Sequence, residues 1–173
     1  MKKLTMIGLM LIMTGCQQFP TRFESVAVER TSKLRSPTYS QFLLEAESKA
    51  TPEGRRVLEA GREMALMNRE LVRGSCWDYA NAIFERAGFP YQTSREVVMQ
   101  HDIDFRYIQP GDFLSYVNHS YNDIKHTAIF VDWIDFDRKV ALMLSYAGQK
   151  RKEPARYKPY DLSDVYYVAR ARN

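Results

Sequence analysis

Apolar residues recur at intervals of three and four along the first half of the chain, the spacing of one face of an α-helix. The first such segment covers residues 39–49. A second begins at Thr51-Pro52-Glu53, where a capping residue, a first-turn proline and an early acid coincide. Its apolar stripe extends to Val72 and is interrupted at Gly61. We expect both helices to act as packing elements.

A third helix is predicted directly after Ser75, which is a favourable N-cap residue. Asp78 stands three positions later and completes a Ser-x-x-Asp capping-box pattern. Gly88 and Pro90 predict the end of the helix. Cys76 would be its first residue and would face the core. The predicted inward stripe is Cys76, Tyr79, Ala80, Ile83, Phe84 and Ala87.

Beyond Gly88 the helical period is lost and later gives way to alternation typical of β-strands. Residues 92–107 have no clear pattern, and we expect them to wrap the surface. Strands are predicted at residues 112–117, 126–133, 139–146 and 164–171, with a hairpin between the second and the third. Helices followed by an antiparallel sheet predict an α+β fold.

The first fifteen residues have the organisation of an export signal: two lysines, an apolar run and two small residues before Cys16. The run is too short to span a membrane. Small residues before a cysteine resemble the lipobox of bacterial lipoproteins. That resemblance implies lipidation of Cys16 and, because glutamine follows it, an outer-membrane location facing the periplasm. We therefore divide the chain into a leader (1–15), a lipidated tether (16–36) and one domain (37–173).

Charge gives little support for a nucleic-acid partner. The chain has 173 residues and a formal net charge of +4, and removal of the leader lysines lowers this to +2. No basic stripe interleaved with aromatic residues is visible. We interpret Lys150-Arg151-Lys152 as a solvated loop and expect no nucleic-acid binding.

Cysteine usage points to Cys76 as the residue to explain. The chain has two cysteines, and lipidation of Cys16 would leave Cys76 unpaired in an oxidising compartment. An unpaired cysteine is either reactive or a small buried apolar residue. At the start of a helix, unpaired N–H groups and the helix dipole favour a thiolate, which is the nucleophilic form. The same N–H groups could stabilise an oxyanion.

A reactive cysteine needs a base, and the chain has three histidines. His101 lies in the unpatterned stretch, and His119 lies in a polar loop. His126 begins a predicted strand from which an inward side chain could meet the start of the third helix. The alternative for His126 is a buried histidine with satisfied hydrogen bonds.

Three segments together resemble the NlpC/P60 and CHAP group of papain-like cysteine peptidases. They are Gly-Ser-Cys-Trp-Asp-Tyr at the helix start, Gln-Pro-Gly-Asp-Phe-Leu before a strand, and His-Thr-Ala-Ile-Phe-Val on the next strand. The resemblance covers residues 74–145. It implies a papain-like fold in which Cys76 is the nucleophile and His126 the general base.

The family also has a third polar residue that orients the histidine, on the strand after it. That strand here carries no His, Asn or Asp, so we assign the role to Ser145, with Gln149 as the second choice. The family's acid directly before the cysteine is absent, since Ser75 occupies that position. We expect His119, Tyr79 and Tyr116 to contact the substrate.

The leading hypothesis is an envelope lipoprotein that hydrolyses amide bonds, and the family implies peptidoglycan stem peptides as substrate. Two alternatives remain: a non-catalytic binding or assembly module on the same fold, and an acyltransferase that uses the same cysteine and histidine. A zinc site has too few ligands, since only Cys76, His119 and His126 are candidates. We expect no metal and no cofactor.

Overall fold

The computed structural model describes residues 38–90 and 94–173. The predicted leader, the lipidation site at Cys16 and the tether lie outside these residues. Three α-helices come first: α1 (Thr38–Lys49), α2 (Pro52–Arg62) and α3 (Cys76–Arg86). Six strands follow: β1 (Arg95–Gln100), β2 (Phe113–Asn118), β3 (Ile124–Asp135), β4 (Val140–Ser145), β5 (Arg156–Asp161) and β6 (Val165–Ala171). The fold is therefore α+β.

The strands form one antiparallel sheet in the order β1-β6-β2-β3-β4-β5. The long strand β3 lies inside the sheet and pairs with β2 on one side and β4 on the other. Strands β1 and β5 form the two edges. The site residues predicted on β3 and β4 therefore come from neighbouring strands.

Alternation of side chains gives the sheet two different faces. The helices pack on one face, where Ile129 of β3 and Leu144 of β4 join the helical core. Ala128 and Phe130 belong to a second apolar cluster on the opposite face. By the same alternation His126 belongs to that opposite face. A site that combines His126 with the start of α3 must therefore lie where the sheet ends.

The second helix is shorter than its apolar pattern predicts. Its start agrees with the expectation, because the Thr51 hydroxyl accepts a hydrogen bond from the Gly54 N–H at 3.1 Å. After Arg62 the chain forms a π-helical turn (Glu63–Met67), closed by a 2.9 Å bond from the Asn68 N–H to the Glu63 carbonyl. The wider turn changes the helical period, so the prediction of one stripe extending to Val72 was wrong.

Two strands were missed by sequence reasoning. Residues 95–100, expected to wrap the surface, form β1, and β5 had no prediction at all. Both are edge strands with mostly half-exposed side chains, so the alternation of buried and polar residues is weak. Pro159 further masks β5, although an edge strand tolerates a residue without an N–H.

The described helices are all too short or too polar to cross a membrane.

Candidate active site

Cys76 is the first residue of α3 and is half-buried. The helix start is fixed by Asp78, whose carboxylate accepts hydrogen bonds from the Ser75 N–H at 2.6 Å and from the Ser75 hydroxyl at 2.7 Å. These bonds lower the pKa of Asp78. The acid inside the helix therefore holds the backbone in place immediately before the candidate nucleophile.

A second contact holds the turn that precedes Cys76. The Gly74 N–H donates to Gln149 Oε1 at 3.1 Å, and the Gln149 N–H donates to the Gly74 carbonyl at 2.9 Å. Gln149 was the second choice for orienting His126. Its side chain instead binds the backbone beside the cysteine, so it acts on the other half of the site.

The sulfur of Cys76 is approached by a backbone amide of the sheet. The Phe130 N–H donates to the Asp112 carbonyl on the β2 side, so alternation directs the Thr127 N–H towards β4. Strand β4 ends at Ser145, which pairs with Ala128. The Thr127 N–H therefore lies at the open end of β4, near enough to the Cys76 sulfur to lower the pKa of the thiol.

Burial dominates the protonation of the thiol. The pKa of Cys76 is raised above its ordinary value because loss of water outweighs the N–H groups of Thr127, Trp77 and Cys76, which lower it. This differs from the expectation of a thiol activated by the helix start alone. Among the described residues, no positive charge lies near enough to lower the pKa of Cys76, so the thiol is neutral at rest.

His126 is buried and hydrogen-bonded to the strand beside it. Its Nε2 atom lies 2.7 Å from Ser145 Oγ, which in turn lies 2.9 Å from the Tyr160 hydroxyl. The rings of Tyr116 and Tyr160 flank the imidazole at centroid distances of 5.6 and 5.9 Å. Burial lowers the pKa of His126 to about 4, so the ring is neutral at neutral pH.

These hydrogen bonds permit two arrangements of protons, and one of them suits a general base. If the Nε2–H of His126 donates to Ser145 and the Ser145 hydroxyl donates to Tyr160, each group has a partner. The Nδ1 atom of His126 is then the unprotonated nitrogen. In that arrangement Ser145 orients the ring, and Nδ1 is the atom left to accept a proton.

Cys76, His126 and Ser145 line one groove of about 780 Å³ at the end of β4. No hydrogen bond joins Cys76 to His126 among the described residues, and the hydrogen bond of the His126 ring runs to Ser145. The structure therefore brings the predicted pair into one groove without a hydrogen bond between them.

None of the three predicted substrate contacts lines the groove. Tyr79 and Tyr116 are 1% and 0% exposed, which leaves no surface for a substrate. Tyr79 stacks on Tyr146 in the helical core. His119 lies outside the groove lining, with Nδ1 2.8 Å from Asp123 and Nε2 2.9 Å from Asp164. The two tyrosines were chosen because they are aromatic, but they belong to the core. His119 was chosen because it lies in a polar loop, but it forms ion pairs at the surface.

Sequence reasoning missed Tyr160 and Thr127. Tyr160 extends the chain of hydroxyl groups from His126 through Ser145, but it lies on β5, which no pattern predicted. Thr127 contributes a backbone group, so its residue type carries no signal. Only knowledge of where β4 ends could have identified it.

Comparisons with models of protein families, with curated proteins and with solved structures found no match to this chain.

Proposed function

We propose that the chain is a cysteine hydrolase with a papain-like domain of the NlpC/P60 kind, held on the cell envelope by lipid at Cys16. The amide bonds of peptidoglycan stem peptides are its proposed substrate. The observation that carries the proposal is the shared groove, in which a cysteine at a helix start lies with a buried histidine bonded to Ser145. In this proposal the outer membrane holds the domain facing the periplasm, within reach of the wall.

The reaction would begin with both groups neutral. The Nδ1 atom of His126 accepts the thiol proton of Cys76 as the sulfur forms a bond to the substrate carbonyl carbon. Because no hydrogen bond joins the two groups at rest, substrate binding must align them for proton transfer. Ser145 accepts the hydrogen bond from Nε2–H and so supports the imidazolium that forms.

The backbone amides around Cys76 are placed to stabilise the oxyanion that forms when the sulfur attacks the carbonyl carbon. The N–H groups of Cys76 and Trp77 belong to the start of α3, and that of Thr127 comes from the sheet. They can stabilise the negative charge that moves from sulfur to the carbonyl oxygen. The imidazolium then gives its proton to the departing amine, and water hydrolyses the thioester.

A binding or assembly module is the second candidate, and one observation favours it. The pKa of Cys76 is raised and that of His126 is lowered, both by burial, so the resting pair does not form a thiolate and an imidazolium. A groove that only binds a ligand would need neither a thiolate nor an imidazolium.

Digestion of purified wall peptides separates the two functions. We expect the wild-type chain to release new amino groups, and Cys76→Ala and His126→Gln to be slower by about a hundredfold or more. His119→Gln is the matched control, because it removes a histidine outside the groove and should retain activity. Equal digestion by wild type and Cys76→Ala would refute the hydrolase. Binding of the peptides without any cleavage would favour the module.

A further inference from the structure

The groove that contains Cys76 and His126 is lined by basic residues from three parts of the chain. Among the described residues that line it, none is acidic. The basic lining residues are Lys125, Lys150, Arg151, Arg156 and Lys158. Like charges gathered in one concave site create a positive potential that attracts anions.

Strand register places two of these side chains beside the candidate catalytic groups. Arg156 of β5 lies directly opposite Ser145 of β4, and Lys158 lies opposite Met143. Residues opposite each other in antiparallel strands project from the same face. Ser145 bonds His126 on that face, so Arg156 and Lys158 stand on the same side of the sheet as the imidazole.

Lys158 is the basic residue whose position most needs explanation. Arg156 has an ion pair with Glu153 at 3.2 Å, and Arg151 donates to the Tyr121 hydroxyl at 3.0 Å. Lys158 forms no ion pair with any residue that the structure describes. Loss of water and the neighbouring Arg156 lower its pKa, and the nearby Glu153 opposes this effect. Lys158 is exposed to solvent in the groove and is repelled by Arg156, and a bound anion would relieve that repulsion.

We propose that Arg156 and Lys158 recognise a carboxylate of the peptide substrate, so that the groove selects anionic peptides over neutral ones. This inference rests on the proposed function only in taking the groove as the place where the acyl substrate binds. Lys158 is the principal specificity residue, because Arg156 is already partly neutralised by Glu153.

Alkylation of Cys76 tests the charge of the groove without any turnover. Iodoacetate and iodoacetamide react alike, since the thiolate sulfur displaces iodide and forms a bond to the methylene carbon, but only iodoacetate is an anion. The two rates are measured on the full chain by mass spectrometry of the peptide that contains Cys76. We expect Lys158→Gln to lower the ratio of iodoacetate to iodoacetamide rates by about threefold.

The controls separate charge from shape. Lys158→Arg keeps the charge and should keep the ratio, and Lys152→Gln removes a cation of the same region that does not line the groove. Addition of about 0.5 M salt should remove most of the wild-type preference, since screening then acts within a few ångströms. An unchanged ratio in Lys158→Gln, or an equal fall in Lys152→Gln, would overturn the proposal.

Protection of Cys76 from iodoacetamide tests the ligand itself. Purified wall peptides should slow alkylation, the same peptides with carboxylates converted to amides should not, and Lys158→Gln should remove the difference. Equal protection by both peptide forms would refute carboxylate recognition. Protection by phosphatidylglycerol vesicles but not by peptides would refute it too, because the anion would then be a lipid phosphate. If peptides protect but are never cleaved, only the hydrolase proposal fails.

Discussion

At the scale of single residues, the site is built from groups that burial keeps uncharged. A buried thiol and a buried imidazole each resist ionisation, one by a raised pKa and the other by a lowered one. The bond between His126 and Ser145 is made by the neutral ring as well as by the charged one. Proton transfer from Cys76 to His126 would therefore require a substrate that excludes water and brings the pair together.

Burial of His126 makes the stability of the fold depend on pH. The pKa of His126 falls from an ordinary value of 6.5 to about 4 in the folded chain. Between pH 6.5 and about 4, the imidazole of His126 is protonated in the unfolded chain but stays neutral in the folded chain. The contribution to stability is therefore complete above pH 6.5 and is lost as the pH falls towards 4, by about 3 kcal/mol. Urea denaturation of His126→Gln should show a shallower loss over this interval than the wild type.

His119 provides a comparison with the opposite sign. Asp123 and Asp164 hold both of its ring nitrogens, and the bond to Asp123 raises its pKa. Its contribution is present at low pH and is lost as the pH rises through the raised value. His119→Gln should therefore leave the acid-side loss of stability intact. Identical pH profiles for His126→Gln and the wild type would contradict the assignment of His126 as a buried neutral base.

At the scale of elements, the start of α3 depends on a glycine. Gly74 has a φ of +114°, and a Cβ there would lie 2.3 Å from Asp78 Oδ2. That carboxylate also binds Ser75. A side chain at position 74 would therefore strain the backbone and displace the acid that fixes the helix start.

Gly74→Ala should lower the free energy of unfolding more than an alanine substitution at a glycine that has a positive φ but no steric clash. Gly88 supplies the control, because it has a φ of +87° but open space, with Arg56 Nη1 as the nearest atom at 3.9 Å. We expect Gly88→Ala to lower the free energy of unfolding by about 1 kcal/mol and Gly74→Ala by about 2–4 kcal/mol. Gly74→Ala should also change the alkylation rate of Cys76. Equal losses in the two variants would show that Asp78 adapts without cost.

The elements also show why some of the structure could be predicted and some could not. Helix α3 was predicted to within a residue because Ser75, the apolar stripe and Gly88 act through local geometry. The contact between Ser145 and His126 followed from alternation on adjacent strands. Strand β5 depends on pairing with β4 across the sheet, so its residues carry no comparable local signal. The partners of the site that lie there, Tyr160 and Lys158, could not be found from the sequence.

At the scale of the whole molecule, the turn before β2 joins the helices to the sheet. A Cβ on Gly54 at the start of α2 would lie 2.3 Å from the Pro110 carbonyl oxygen, and one on Gly111 would lie 2.5 Å from the Gly54 Cα. The two backbones thus touch without side chains between them. The Pro-Gly-Asp motif that contributed to the family resemblance has a structural role here.

The acid of that motif forms a buried ion pair. Asp112 is 1% exposed, and its oxygens lie 2.7 and 2.8 Å from Nε and Nη2 of Arg170 on β6. It also accepts from the Gln109 N–H at 2.8 Å, and Arg170 donates to the Tyr107 carbonyl at 2.6 Å. Burial raises the pKa of Asp112, and Arg170 opposes this by favouring the carboxylate.

Loss of that carboxylate should destabilise the whole fold rather than the groove. Asp112→Asn leaves Arg170 half-buried without its counter-charge, so we expect a loss of about 3 kcal/mol in the free energy of unfolding. The exposed pair of Glu96 on β1 and Arg172, which follows β6, is the control, and Glu96→Gln should cost less than about 1 kcal/mol. The ratio of iodoacetate to iodoacetamide rates at Cys76 should not change in folded Asp112→Asn. A change in that ratio without loss of stability would mean that the motif acts on the site directly, and the structural role would be wrong.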